Sequence, residues 1–374
     1  MKVRTHRDPR AGFVVMAGQR DVTFLQGPIT PLQRFWSGGD AVALMQPGAD
    51  LVHTINAIPL VMPRRLIITF EDYLPRIPDD RPNPSLDRML TRRLFDRRCE
   101  ALLAMSDYAR AQFAAQHSGA PGYDELSQKT EVVYPAVPIR RAQAKNTNLD
   151  RGTPLRLLAV GRDWLRKGFP AIVEAHERLI AAGVNVETTV VSSLRWSPDD
   201  YVGPRSQRLH DDFENRLNAS GVKHLSEVDN NIVRKLMDEA DIYLHPTLHD
   251  TFGYVLIEAL SGGTPVIATE TCAAPEIVDH GRSGYLLPMR NRPDLHKWEW
   301  LYRNSEDGYE DAYLEFIGSA AEGIAQHVAD LEENRDQLAA LEAGALDKAR
   351  NRFSIDILRT KLEQLYGVSS IFGH

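Results

Sequence analysis

Residues 240–269 read ADIYLHPTLHDTFGYVLIEALSGGTPVIAT. The run begins with a short apolar segment, Asp241–Pro246, that is typical of a buried β-strand, and it ends with a second one, Thr264–Thr269. Between the two lies a helical stretch, Gly253–Leu260, in which Glu258 is a carboxylate among apolar residues. A strand, a helix and a second strand in this order predict two parallel strands joined by a crossover helix.

The same alternation continues on both sides of this run. In the second half of the chain, strands are predicted at Arg156–Gly161 and Val186–Ser192, and helices at Gly168–Ala182 and Ile232–Ala240. The first half repeats the pattern, with strands predicted at Asp50–Thr54, Leu66–Thr69, Ala101–Ser106 and Thr130–Val133. We therefore expect two open α/β domains with parallel sheets, whose ligands bind at the carboxyl ends of the strands.

Composition places the chain among ordinary soluble proteins. It has 374 residues, of which 43% are hydrophobic and 25% are charged, and this length suits two domains. The two cysteines leave no room for a disulfide framework or a four-cysteine zinc site, which favours a reducing compartment. No apolar run reaches the ~18–20 residues of a membrane span, so we expect a cytoplasmic protein. The net charge of -7 argues against a nucleic-acid partner.

The charge is distributed unevenly between the two halves. Residues 1–150 hold 20 basic and 16 acidic residues, a balance of +4, while the remainder holds 24 and 35, a balance of -11. The polar stretch Pro138–Pro154 lacks periodicity and predicts a linker. We accordingly expect domains at residues 1–147 and 148–349, with a helix at about 350–374 that packs back on the first domain.

The loop after the strand Asp241–Pro246 has the residue types of a ligand site. Asp250 can serve as the N-cap of a helix that begins near Thr251 or Phe252, which places Gly253 in the first turn. Gly costs about 1 kcal/mol there relative to Ala, so it makes sense where a ligand approaches the backbone. The bare N–H groups suit an anionic ligand, and Glu258 suits sugar or ribose hydroxyls. When each residue is considered alone, two simpler alternatives remain open: Asp250 is a plain helix cap, and Glu258 is a solvated residue.

The segment from Asp250 to Glu258 resembles the E-x7-E signature of retaining glycosyltransferases of family 4. Its sequel, Ala274–Leu287, also fits that family, and Val160–Gly168 is similar to the family's G-R-x4-K-G turn. The resemblance implies the GT-B fold, an α/β architecture of two Rossmann-like open parallel-sheet domains that face each other across a cleft. It also implies transfer of a sugar from a nucleotide-diphosphate donor, a UDP- or GDP-sugar, with no further cofactor and no metal.

The resemblance also assigns roles to individual residues. Arg162 and Lys167 stabilise the negative charge on the leaving phosphate, as paired cations can. Asp250 stands where the family's first glutamate contacts the donor sugar, although it is one methylene shorter, and Glu258 stands where the second holds the ribose. Catalytic roles are thus expected for Arg162, Lys167, Asp250 and Glu258. Donor binding is expected for Gly161, Phe252, Gly253, Tyr254 and Glu258.

The first half matches the family less closely. His53 and Glu71 follow the pattern of the acceptor domain and are expected on the acceptor or sugar side, with a glycan, a lipid-linked molecule or a small molecule as acceptor. Glu71 stands where relatives commonly have a histidine. A sugar-nucleotide epimerase of the same fold and a non-catalytic nucleotide-sugar-binding protein remain alternatives.

Two further segments invite a functional interpretation. Leu86–Leu103 predicts a cationic amphipathic helix, and its Arg88–Arg98 region either forms a solvated basic face or makes peripheral contact with the inner face of the cytoplasmic membrane. His245 and His249 have the i, i+4 spacing of a metal pair. That spacing needs a helix to converge, whereas Pro246 favours the end of a strand, so no metal site is expected.

Overall fold

A computed structural model describes residues 1–6, 23–27, 42–43, 48–77, 82–145, 152–197, 200, 202–292 and 296–367. The chain divides into two compact units. The first consists of Met1–Val137 together with Arg352–His374, and the second consists of Pro138–Asn351. The division lies before the expected boundary at residue 147, so much of the polar stretch that suggested a linker belongs to the second unit.

The first unit is built on a six-stranded parallel sheet. Its strands are β1 (Lys2–His6), β2 (Thr23–Gly27), β4 (Leu51–Ile55), β6 (Leu66–Phe70), β7 (Cys99–Ala104) and β8 (Thr130–Val132), in the spatial order β2-β1-β4-β6-β7-β8. Two short strands, β3 (Val42–Ala43) and β5 (Ile58–Pro59), pair separately. The helices described in this unit are α1 (Pro84–Leu94), α2 (Asp107–His117), α3 (Tyr123–Gln128) and the C-terminal helix Ile355–Tyr366.

Strands β4 and β6 are buried along their whole length. Such continuous burial is typical of parallel strands that are covered on both faces. The four strands predicted in this half are confirmed with small shifts at their ends, and so is the parallel α/β architecture. Apolar residues of β6, β7 and α1 share one core.

The helix predicted over Leu86–Leu103 is wrong in its second part. Helix α1 ends at Leu94, and Cys99 and Leu102 belong to strand β7. Between them the chain turns, and Asp96 accepts hydrogen bonds from the backbone and the guanidinium of Arg98. The helical periodicity extends into the strand because the apolar residues of a buried strand can also fall at intervals of three or four positions.

The second unit is likewise built on a six-stranded parallel sheet. Its strands are β9 (Leu155–Val160), β10 (Val186–Val191), β11 (Lys223–Leu225), β12 (Ile242–His245), β13 (Val266–Thr269) and β14 (Gly284–Leu287), in the order β11-β10-β9-β12-β13-β14. A short antiparallel pair follows, β15 (Asn291–Arg292) and β16 (Lys297–Trp298). The described helices are α4 (Phe169–Ala181), α5 (Gln207–Ala219), α6 (Asn230–Glu239), α7 (Tyr254–Ser261), α8 (Ala274–Ile277), α9 (Tyr309–Glu333) and α10 (Arg335–Arg352).

The order of these strands is that of the dinucleotide-binding fold. In this fold the first three strands run from the centre of the sheet to one edge, and the strand order then reverses so that the next three run from the centre to the other edge. Here the reversal lies between β9 and β12, which are hydrogen-bonded neighbours. Ligands of such sheets bind outside the carboxyl ends of the strands at this point. The fold therefore directs attention to the segments that follow Val160 and His245.

Candidate functional site

The segments after β9 and β12 meet at the switch point of the second sheet. Gly168, at the N-terminus of α4, has a left-handed backbone with φ +68°, and a Cβ added to it would lie 1.7 Å from the carbonyl oxygen of Pro246. Only glycine permits this approach. The backbone N–H of Leu248 donates to the carbonyl of Arg166 at 3.0 Å, and the Arg166 guanidinium donates to the carbonyl of His249 at 2.7 Å. The two segments are therefore held together as one site.

An ion pair lies at the centre of this site. Lys167 Nζ donates to Asp250 Oδ2 at 2.5 Å, and the two side chains are 12% and 25% exposed. Burial by itself would raise the pKa of the Asp250 carboxyl, but the charge of Lys167 and the neighbouring His245 outweigh it and hold that pKa well below its usual range. Two residues assigned by separate motifs thus contact each other directly.

His245 lies beside the same carboxylate. It ends strand β12, as predicted, and its Nε2 lies 3.3 Å from Asp250 Oδ2. Burial lowers the pKa of His245, and it lowers the pKa of His249 to about 3, so both imidazoles are neutral near pH 7. Among the described residues, the one cluster with metal-ligand spacing is His210, Asp211 and Glu214, which includes none of the expected site residues.

Arg162 is exposed at the mouth of the turn after β9. Its guanidinium makes no hydrogen bond or ion pair with the parts of the chain that the structure describes, whereas nearby Asp163 pairs with Arg166 and Arg195, each at 2.7 Å. Gly161 precedes it, and a Cβ there would press against Lys167 Cγ at 3.2 Å. The turn therefore presents Arg162 to solvent and keeps Arg166 and Lys167 in ion pairs.

Helix α7 begins later than predicted. It starts at Tyr254, with Gly253 as N-cap in a left-handed conformation (φ +80°), and no side chain caps it. The prediction that Asp250 is the N-cap and that Gly253 lies in the first turn is wrong, because the Asp250 carboxylate is bound to Lys167. Phe252 is buried and its ring contacts Tyr254 edge to face at 5.2 Å. Phe252 and Gly253 therefore lead into the helix, whereas Tyr254 is its first residue.

Glu258 lies on α7, and its carboxylate has no hydrogen-bond partner within the described ranges. Although the side chain is exposed, desolvation by the surrounding protein raises the pKa of the carboxyl, against the opposing charges of Arg140 and Arg234. Arg140 also donates to the carbonyl of Glu258 at 2.7 Å and to Asp238 at 2.8 Å. The sequence analysis missed Arg140, because it precedes this helix by more than a hundred residues and belongs to no motif.

In the first unit, His53 is enclosed within the fold. It is 1% exposed, its Nδ1 lies 2.7 Å from the hydroxyl of Tyr366, and its Nε2 lies 2.7 Å from the hydroxyl of Thr69. Both ring nitrogens are therefore engaged by protein groups. His53 joins the C-terminal helix to the sheet. Its role on the acceptor or sugar side stays a prediction.

Glu71 follows β6 at the carboxyl edge of the first sheet. It is buried, its carboxylate pairs with Arg76 at 2.6 Å, and its backbone N–H donates to Asn56 Oδ1 at 3.0 Å. Asn56 follows the neighbouring strand β4 and has a left-handed backbone with φ +57°. The strand ends therefore hold Glu71 in a fixed position, although its charge is already balanced.

Part of the second unit is similar in sequence to known glycosyltransferases. Residues 154–297 match the family described as "Glycosyl transferases group 1". AmsK of Erwinia amylovora, an amylovoran biosynthesis glycosyltransferase, is 31% identical over 142 residues, which cover 36% of this chain and 32% of AmsK. The phosphatidyl-myo-inositol mannosyltransferase of Mycobacterium tuberculosis (strain H37Rv) is 29% identical over 141 residues, which cover 37% of this chain and 34% of the relative. The match thus spans about a third of the length of these relatives.

Comparison with solved structures covers the whole chain. The crystal structure of Anabaena HepE in complex with UDP aligns with a TM-score of 0.63 and 15% identity, over 99% of this chain and 100% of HepE. At that identity the likeness establishes the fold alone, which is the GT-B fold of two parallel-sheet α/β domains. Residues 154–297 therefore form a glycosyl transferases group 1 domain in a chain with the GT-B fold.

Proposed function

We propose that the protein is a retaining glycosyltransferase that moves a sugar from a nucleotide-diphosphate sugar to a glycan, lipid-linked or small-molecule acceptor. The pathway we propose is the biosynthesis of a cell-surface polysaccharide or glycoconjugate. The observation that carries the proposal is the contact of Lys167 with Asp250 at the switch point of the second sheet. It joins the two motif elements at the position where sheets of this type bind ligands.

Arg162 and Lys167 offset the charge that builds on the leaving phosphate, without a bound metal. The Arg162 guanidinium is exposed and has no partner within the described ranges, so it can bind phosphate oxygens with its planar set of donors. Lys167 supplies a compact charge from the same turn. Donors fixed where negative charge develops are among the largest contributions to enzymatic rate.

The donor is a UDP- or GDP-sugar. Anabaena HepE, which shares the fold, has been crystallised in complex with UDP and with UDP-glucose. In this chain the Glu258 carboxylate meets no hydrogen-bond donor in the described residues, and desolvation raises its pKa. Ribose hydroxyls supply such donors.

Donor binding competes with the ion pair. A diphosphate and the Asp250 carboxylate are both anionic, and each is attracted to Lys167. Lys167 has three N–H donors and a flexible stem, so it can turn toward the phosphate and leave Asp250 to accept from sugar hydroxyls. Retention follows if the acceptor approaches from the side of the leaving phosphate, which then takes the acceptor proton.

The acceptor binds the first unit, near the carboxyl end of β6 where Glu71 lies. Helix α1 buries Leu86, Leu90 and Leu94 in the core and leaves Arg88 and Arg92 exposed. This arrangement matches a solvated basic face and is also suited to an anionic lipid headgroup or a lipid-diphosphate acceptor. None of the described helices is long and apolar enough to cross a bilayer.

Thermal-shift measurements with UDP-, GDP- and ADP-sugars test the donor. A ligand that binds only the folded protein raises its apparent stability by about 2.7 kcal/mol at a hundred times its Kd. We expect one nucleotide class to raise the melting temperature, and turnover of that donor to release a product of the same anomeric configuration, as read by NMR. An unchanged melting temperature with every nucleotide sugar would refute the proposal.

A further inference from the structure

A buried histidine lies beside the Lys167–Asp250 pair. The side chain of His245 is 1% exposed, and its Nε2 lies 3.3 Å from Asp250 Oδ2, the oxygen that also accepts from Lys167. Neither ring nitrogen makes a hydrogen bond of regular geometry with any described residue. A buried imidazole without a partner is costly, and Asp250 Oδ2 is a polar atom within its reach.

We propose that His245 is a positioning residue, which donates its Nε2–H to Asp250 and keeps this carboxylate in place when a nucleotide diphosphate engages Lys167. This inference rests on the proposed function, because it assumes that a diphosphate binds at Lys167. His245 itself does not contact the substrate.

The protonation state of His245 follows from its surroundings. Burial lowers the pKa of the imidazole, the charges of Lys167 and Arg166 lower it further, and the contact with Asp250 opposes them. The ring is therefore neutral and carries a single N–H. A carboxylate next to Nε2 favours the tautomer with the proton on that nitrogen, since two lone pairs would otherwise face each other.

A neutral hydrogen-bond donor next to Asp250 keeps this carboxylate partnered when Lys167 turns away. When Lys167 turns toward a diphosphate, Asp250 loses its cation at the moment when a second anion arrives. A carboxylate in a partly buried site then tends to take up a proton or to turn away. His245 is fixed at the end of strand β12, so its N–H remains in place whether Lys167 contacts Asp250 or the diphosphate.

A matched pair of substitutions tests the position of the donor. In His245→Gln the side-chain amide nitrogen reaches the place of Nε2, whereas in His245→Asn it reaches only the place of Nδ1. We expect the Gln variant to keep kcat within about threefold of the wild type and the Asn variant to lower kcat about 10- to 100-fold, as for the loss of one hydrogen bond to a charged group. The KM for the donor should change little in either variant.

The pH profile separates this role from a purely structural one. Without the donor at the Nε2 position, Asp250 should protonate at a higher pH, so the acid limb of the kcat profile should move upward in the Asn variant and not in the Gln variant. Equal kcat values and equal acid limbs in the two variants would overturn the proposal.

A spectroscopic measurement on the wild type reads the tautomer directly, and a variant serves only to assign the signal. Two-dimensional NMR of the histidine ring nitrogens should show that the His245 ring is neutral at pH 7 and carries its proton on Nε2. Its signal is assigned by its loss in His245→Gln. A protonated Nδ1 or an imidazolium at this residue would overturn the proposal. Calorimetric titrations with UDP and with GDP are run alongside, so that a protein that binds neither nucleotide refutes the proposed function while the tautomer still decides the role of His245.

Discussion

Lys167 Nζ and Asp250 Oδ2 lie 2.5 Å apart, although 83 residues separate them along the chain. The contact joins the turn after β9 to the loop after β12. Strands β9 and β12 are adjacent at the switch point of the second sheet. A cation that is proposed to bind phosphate is thus neutralised by a carboxylate that is proposed to bind sugar. The pair keeps both charges satisfied and places both side chains at the proposed donor site.

Removal of the lysine should affect turnover more than stability. We expect Lys167→Ala to lower kcat by at least about 10²-fold, since it removes a charge that stabilises the leaving phosphate. The matched control is Lys348→Ala, which breaks a Lys–Asp pair of similar burial, Lys348 Nζ to Asp279 Oδ1 at 2.7 Å. Steady-state kinetics and melting temperatures are measured for both variants. Near-normal turnover in Lys167→Ala would remove this residue from the mechanism.

Stability should decrease as the pH falls below the usual histidine range. The pKa of His249 is lowered from 6.5 to about 3, mainly by burial and further by the charges of Lys297 and Arg166. Between these two values the unfolded chain binds a proton that the folded protein does not. The free energy of unfolding should therefore rise with pH by about 1.4 kcal/mol per pH unit from this group.

Urea denaturation at pH 5 and pH 6 measures this slope. We expect His249→Asn to make it shallower by up to about 1.4 kcal/mol per pH unit, while the slope that comes from other buried histidines remains. An identical slope in the two proteins would show that His249 is protonated in the folded state.

The glycine at the start of α4 should tolerate no side chain. In Gly168→Ala the new Cβ would lie 1.7 Å from the carbonyl oxygen of Pro246, and the backbone would be strained at φ +68°. Gly183→Ala is the control, because it has a similar φ of +75° and no atom within 4 Å of the added Cβ. We expect the control to lose about 1–2 kcal/mol and Gly168→Ala to lose on the order of 3 kcal/mol or more. Equal denaturation midpoints would argue against the close contact of the two loops.

The role of His53 can be tested through its partner. Tyr366→Phe removes the hydroxyl that lies 2.7 Å from His53 Nδ1 and leaves a buried nitrogen without that partner. We expect the free energy of unfolding to fall by about 1–3 kcal/mol, with the affinity for the donor nucleotide, UDP or GDP, unchanged. If His53 instead contacts the acceptor, the variant will show normal stability and an altered KM for the acceptor.

Local patterns in the sequence were sufficient for the fold class. Runs such as Leu66–Phe70 are apolar because parallel strands are covered on both faces, so their composition reports their environment directly. The motif residues Lys167 and Asp250 were identified instead from the resemblance of their two segments to a known family. Periodicity failed where a helix and a strand follow each other closely, as at Leu94 and Cys99.

The sequence by itself determined that this protein has parallel α/β architecture and which segment resembles a nucleotide-sugar site. Only the tertiary structure decided what the individual side chains do: Asp250 pairs with Lys167 instead of capping a helix, His53 is enclosed by Thr69 and Tyr366, and His245 lies beside Asp250. The physical reason is that secondary structure depends on neighbours along the chain. The partner of a charged or polar side chain depends instead on which strands lie side by side, and in this sheet strand β9 lies next to β12.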